Sequence, residues 1–173
     1  NFFSGYAEML KHGLISTPEH LAELLAFDTD KIDYVALKSM VGRSVQVKED
    51  IVEQDPLEHG IRKALNLGHT VGHAFESLAL AEGRPVLHGY AVAWGIVCEL
   101  YLSYIKVGFP KEKMRQTIQF IKENYGGFAF NCKQYDQLYE LMKHDKKNTA
   151  GAINFTLLKE VGDICLNQTA DKD

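Results

Sequence analysis

The sequence predicts a mainly α-helical, multihelical domain with a short C-terminal β-hairpin. Three observations carry this expectation. Apolar residues recur at helical spacing through most of the 173 residues, alternating patterns are confined to the end, and proline, glycine or capping residues separate the segments. With 46% apolar residues there is material for one sizeable core, so residues 1–173 are expected to form a single domain.

Six or seven helices are expected. The first covers about Ser4 to Leu14. Ser16, Thr17 and Pro18 supply a cap and an early-turn proline for a short second helix reaching Ala26. Asp28 and Asp30 open a third, which runs through Val35, Val41, Val45 and Ile51 until Asp55-Pro56, where proline restricts its predecessor. After a loop to Gly60, a fourth helix is expected from Ile61 to Ala81, and Gly83, Arg84 and Pro85 break it before an apolar fifth beginning near His88. Phe109-Pro110 ends that one. Lys111 to Tyr125 and Gln134 to His144 read as amphipathic helices, separated by Gly126-Gly127. Ile153 to Leu158 and Ile164 to Leu166 read as the two strands of the hairpin.

A formal net charge of -4 and no long basic run exclude the electrostatic footprint of nucleic-acid or anionic-membrane binding, so a small-molecule partner is expected. Cys98, Cys132 and Cys165 are widely spaced with no CxxC pair, which points away from a disulfide framework and toward a reducing cytoplasm. The apolar run Tyr90 to Val107 approaches membrane-spanning length, but Glu99 interrupts it and Lys106 closes it, so it reads as a buried helix. The N-terminus shows no signal-peptide pattern and begins Asn1-Phe2-Phe3 without methionine, as a fragment of a longer protein would.

The informative segment lies in the expected fourth helix. At 3.6 residues per turn Arg62, Asn66, His69, His73 and Glu76 fall within an arc of roughly 80°. A solvated face is usually rich in Lys and Glu. This one offers two imidazoles, an amide and a guanidinium, groups that bind metals or orient anions. Gly68 and Gly72 each cost about 1 kcal/mol relative to alanine inside a helix. Two of them one turn apart mean close approach, either by another helix or by a ligand.

Two histidines one turn apart can share a zinc, but HxxxH alone is a weak pattern and further ligands are needed. His88 borders the most apolar segment and needs a partner, as a ligand or as a core or capping histidine. Glu8, with Lys11 and His12 a turn further on, is a ligand candidate or half of an ordinary surface ion pair.

Several motifs occur in order: Ser4-Gly-Tyr-Ala-Glu8-Met-Leu-Lys11-His-Gly, then Lys48 through Asp55, Glu58-His-Gly-Ile-Arg62, Asn66-Leu-Gly-His69-Thr-Val-Gly-His73-Ala, His88-Gly89, and Asp145-Lys146-Lys147. In this order they resemble the 3-dehydroquinate synthase family over nearly the whole chain, and the LNLGHTVGHA block is long and specific. The resemblance implies metal ligands Glu8, His69 and His88 for zinc or cobalt. With three protein ligands a position stays open to substrate, as in catalytic sites. It further implies that Lys11, Lys48, Glu58, Arg62, Asn66, His73 and Lys146 surround a phosphorylated, carboxylated sugar. Lys146, rather than Lys147, is taken as the inward lysine. Without the resemblance the pair would read as a solvated charge run.

The resembling family converts 3-deoxy-D-arabino-heptulosonate 7-phosphate to 3-dehydroquinate and phosphate in the shikimate pathway of aromatic amino acid biosynthesis, using NAD without net redox change. No glycine-rich nucleotide fingerprint follows a strand here. The resemblance places NAD in an N-terminal domain, implies a cytoplasmic homodimer for the full-length enzyme, and implies that this fragment alone is inactive. Competing expectations are a sister sugar-phosphate cyclase of the 2-deoxy-scyllo-inosose synthase type, an iron-type polyol dehydrogenase, and a non-catalytic metal-binding helical module.

Overall fold

A computed structural model describes residues 1–127, 132–143 and 153–170. The expected class is the observed one: among the described residues, helices α1 (Phe2–Leu14), α2 (Pro18–Ala26), α3 (Tyr34–Gln54), α4 (His69–Ala81), α5 (His88–Val107), α6 (Lys111–Tyr125) and α7 (Cys132–Lys143) precede the antiparallel pair β1 (Ile153–Glu160) and β2 (Asp163–Ala170).

Local chemistry sets the starts of the first three helices. The Asn1 side chain accepts from the Phe3 and Ser4 amides, so α1 begins two residues earlier than the apolar pattern suggests. Thr17 Oγ1 accepts from the His20 amide and Pro18 follows it, as expected for α2. The third helix is a correction. Asp28 Oδ1 accepts from the Asp30 and Lys31 amides, closing a turn, and it is Asp33 that caps α3 through the Val35 and Ala36 amides. A side-chain oxygen that caps a turn competes with helix propagation, so the first aspartates in the run delay the helix.

The expected fourth helix from Ile61 to Ala81 is also corrected. Residues Ile61–Asn66 form a 3-10 segment, and Leu67 and Gly68 form a turn, with Gly68 in the left-handed region at φ 80, before α4 starts at His69. Periodicity cannot report a single left-handed residue that only glycine adopts without steric cost. Arg62 and Asn66 therefore leave the helical stripe, on which His69, His73 and Glu76 remain.

The most apolar helix, α5, is central and packs against α1, α4, α6 and β1. It is long and apolar enough to cross a membrane by composition, yet Ala91, Val92, Ala93, Ile96, Leu100 and Glu99 are fully buried within the fold. One face joins the larger apolar cluster with α1, α2 and α6. The other joins a smaller cluster formed with α4, α7 and the hairpin.

Contact between α4 and α5 is backbone on backbone. A Cβ on Gly95 would lie 2.0 Å from the Gly68 carbonyl oxygen and 2.7 Å from the Gly72 nitrogen, and one on Gly72 would lie 3.0 Å from the Ala91 carbonyl oxygen. Of the two readings of Gly68 and Gly72, this is helix packing. The hairpin is longer than expected, since β2 continues past Leu166 to Ala170 through an irregular register at Asn167, whose φ is 54. The seventh helix starts two residues earlier than expected, and His144 lies outside the described residues.

Candidate metal centre and substrate surround

Three elements bring three donors together. Glu8 stands on α1, His69 is the first residue of α4, and His88 is the first residue of α5. Glu8 Oε1 lies 3.6 Å from His69 Nε2 and 3.7 Å from His88 Nε2, and one donor atom from each residue lies within 4.8 Å of the other two. Tetrahedral zinc with bonds of about 2.0–2.1 Å separates its ligand atoms by about 3.3 Å, so the two distances to Glu8 fit such an ion closely and the donor set as a whole fits it by contracting inward.

The outer contacts also suit a metal. His69 Nδ1 lies 3.1 Å from the Leu67 carbonyl oxygen, and His88 Nδ1 lies 3.1 Å from Glu76 Oε2. Each imidazole thus has an acceptor behind it and turns Nε2 toward Glu8. The second carboxylate oxygen of Glu8 accepts from Lys11 Nζ at 2.5 Å. Burial works to raise the Glu8 carboxyl, but the charge and hydrogen bond of buried Lys11, with smaller contributions from His69 and His12, hold it below its ordinary range.

His73, one turn beyond His69, faces both ligand rings, with centroids 5.3 Å from His69 and 5.9 Å from His88. It is outside the three-donor group yet borders it, a suitable place for a group that handles substrate protons.

The remaining site candidates come from two directions. Lys48 on α3 lines a cavity of about 1010 Å³ between α1 and α3, together with Glu8 and His12. Across the loop before α4, Asn66 Nδ2 donates to Glu58 Oε1 at 3.3 Å, and the Arg62 guanidinium donates to the Pro56 carbonyl at 2.7 Å. Glu58 and Asn66 also line a polar recess of about 460 Å³ with Lys63, Thr70, Asn154 and Thr156. Lys146 and Lys147 lie outside the described residues.

Two contributors escaped the sequence reading. Asp55, read as the residue before a proline and the end of the Lys48-to-Asp55 motif but given no role of its own, accepts from the backbone amides of His59, Gly60 and Arg62 and so shapes the loop that carries Glu58 and Arg62. Those amides hold its carboxyl below the ordinary range. An Asp followed by glycine five residues on was the available signal. Glu76 was noticed on the stripe but given no role.

The α1–α3 contact rests on a buried pair, His12 Nδ1 and Ser44 Oγ, 2.5 Å apart. Burial, then the Lys11 charge, push the His12 imidazole down to about 4, against an opposing pull from Glu8. An unfolded histidine titrates near 6.5, so between roughly pH 6.5 and 4 the unfolded chain binds a proton that the folded chain refuses. Stability present above this window is expected to fall as pH drops through it. Urea midpoints measured across the window in metal-free buffer should show a shallower slope for His12→Gln; an unchanged slope refutes the assignment.

Residues 5–148 match the family model described as 3-dehydroquinate synthase C-terminal. A 3-dehydroquinate synthase of Parabacteroides distasonis is 61% identical over 173 residues, covering 100% of this chain and 49% of that protein. One from Oceanobacillus iheyensis is 42% identical over 163 residues, covering 92% of this chain and 44% of that protein. The chain thus spans about half the length of the curated relatives it matches. Among solved structures, a 2-deoxy-scyllo-inosose synthase complexed with carbaglucose-6-phosphate, NAD+ and Co2+ superimposes with a TM-score of 0.76 at 20% identity, covering 98% of this chain and 48% of that one. A 2-epi-5-epi-valiolone synthase from Streptomyces hygroscopicus subsp. jinggangensis with NAD+ and Zn2+ gives 0.80 at 19%, with the same coverage. At these identities the two structures speak for the fold.

Proposed function

We propose, from the premise that this chain belongs to the 3-dehydroquinate synthase C-terminal family, that it is the metal- and substrate-binding half of an enzyme converting 3-deoxy-D-arabino-heptulosonate 7-phosphate to 3-dehydroquinate and phosphate. The observation that carries the reading is the convergence of Glu8, His69 and His88, with Lys11 and His73 at their border. The 61% identity over the whole chain supports this substrate over the hexose phosphate analogue bound by the structural relative.

Glu8, His69 and His88 would hold a divalent ion whose Lewis acidity would act on a substrate hydroxyl, and NAD, bound by an N-terminal half, would supply reversible hydride acceptance. The chain's own residues do the placing. Lys11 keeps the Glu8 carboxylate charged and aimed, and Lys48 and Arg62 offer cations to substrate carboxylate and phosphate. Asn66 and Glu58 form a polar wall, and His73 stands where a proton is exchanged. Holding one conformer of the substrate is the main demand of the later ring closure. The same reading makes the full-length enzyme a cytoplasmic homodimer.

The test joins this chain to the N-terminal half of a relative and supplies NAD, Co2+ and the heptulosonate phosphate. Phosphate release with 3-dehydroquinate is expected, and none from residues 1–173 alone. Preference for a hexose phosphate lacking the carboxylate assigns the chain to a sister cyclase. Net NADH formation from a simple polyol assigns it to a dehydrogenase.

A further inference from the structure

The antiparallel crossing of α4 and α5 steps in register: Gly68 lies against Ile96, Gly72 against Ala91 and Val92, and one turn further Glu76 meets His88. The backbone contact that the glycines allow brings the Glu76 carboxylate to His88. This proximity has consequences for the metal centre, because the two ligand histidines are secured differently. His69 is backed by a main-chain carbonyl and is 13% exposed at its side chain, whereas His88 is 47% exposed and begins its helix. A half-exposed imidazole with no partner behind it rotates freely and exchanges its two nitrogens. Glu76 Oε2, 3.1 Å from Nδ1, is placed to prevent that.

We propose that Glu76 is a positioning residue for the metal ligand His88. Its carboxylate accepts from Nδ1–H, fixes the tautomer with the lone pair on Nε2, and turns that nitrogen toward Glu8 Oε1. It is not among the three donors that lie within reach of one ion. The inference rests on the reading of Glu8, His69 and His88 as a metal centre.

The experiment is Co2+ titration of the 173-residue chain against a competing chelator, with the visible absorption spectrum of the bound ion as a second readout. Three proteins are compared: the unsubstituted chain, Glu76→Ala and Glu76→Gln. The alanine variant is expected to lose about 10–100-fold in affinity with an altered Co2+ spectrum, the range for removal of a ligand's hydrogen-bond partner. Glutamine keeps an acceptor oxygen for Nδ1–H without the charge, and is expected to lose less and to retain the spectrum. Urea midpoints of the metal-free chains should coincide, since Glu76 is part-exposed. Affinities of both variants within threefold of the parent, or equal losses for alanine and glutamine, overturn the inference while leaving the metal centre standing. Failure of the unsubstituted chain to bind Co2+ at all overturns both.

Discussion

Gly95→Ala is expected to destabilise the chain by about 3 kcal/mol or more, beyond the usual range for overpacking. The new methyl meets main-chain atoms, the Gly68 carbonyl oxygen and the Gly72 nitrogen, neither of which can rotate away. Relief requires lifting α4 off α5, and those helices carry His69 and His88. Lower stability and weaker metal binding should therefore appear together in urea and Co2+ titrations. Gly42→Ala is the control. It lies within α3 with no atom within 4 Å of the added carbon, and is expected to gain up to about 1 kcal/mol. A Gly95→Ala midpoint equal to that of the parent would show that the helices part easily and that the backbone contact is not structural.

The second large effect is on metal, not on fold. His69→Ala is expected to lower Co2+ affinity by more than about a hundredfold, since it removes a direct ligand rather than a neighbour of one. Its helices should survive. The apolar clusters surround α5 and do not depend on the three donors, and Glu8 keeps its bond to Lys11. Equilibrium dialysis and a far-UV melting curve in chelator separate the two quantities. Unfolding of the variant in step with metal loss would mark the ion as a structural one and turn the reading toward a non-catalytic module.

How much of this was legible beforehand depends on what kind of information each feature uses. Helices α1, α2, α5 and α6 announce themselves through apolar spacing and the prolines and glycines that bound them, α2 also through its Thr17 cap, all of which are local. The division of Ile61 to Ala81 is set by the backbone of Gly68, whose left-handed conformation leaves no trace in hydropathy. The expected arc of five polar residues was therefore partly an artefact of a straight helix. Glu58, Arg62 and Asn66 are instead arranged by a loop wound around Asp55. Glu8, His69 and His88 stand on three separate elements, and spacing alone left each with an ordinary alternative; the family resemblance singled them out. Lys146 belongs to residues on which the structure makes no statement.

The turn of the hairpin touches the end of the first helix. Gly162 donates its amide to the Leu14 carbonyl at 2.9 Å, and the turn fits so closely that a Cβ there would lie 2.3 Å from Ser16 O. Among the described elements α1 comes first along the chain and this clasp joins it to the last pair of strands. The helix bearing Glu8 gains this tether only after every element between α1 and the hairpin has been made, a non-local closure of the kind that slows folding and leaves earlier segments exposed. Nascent chains lacking the hairpin are the ones a chaperone should hold longest.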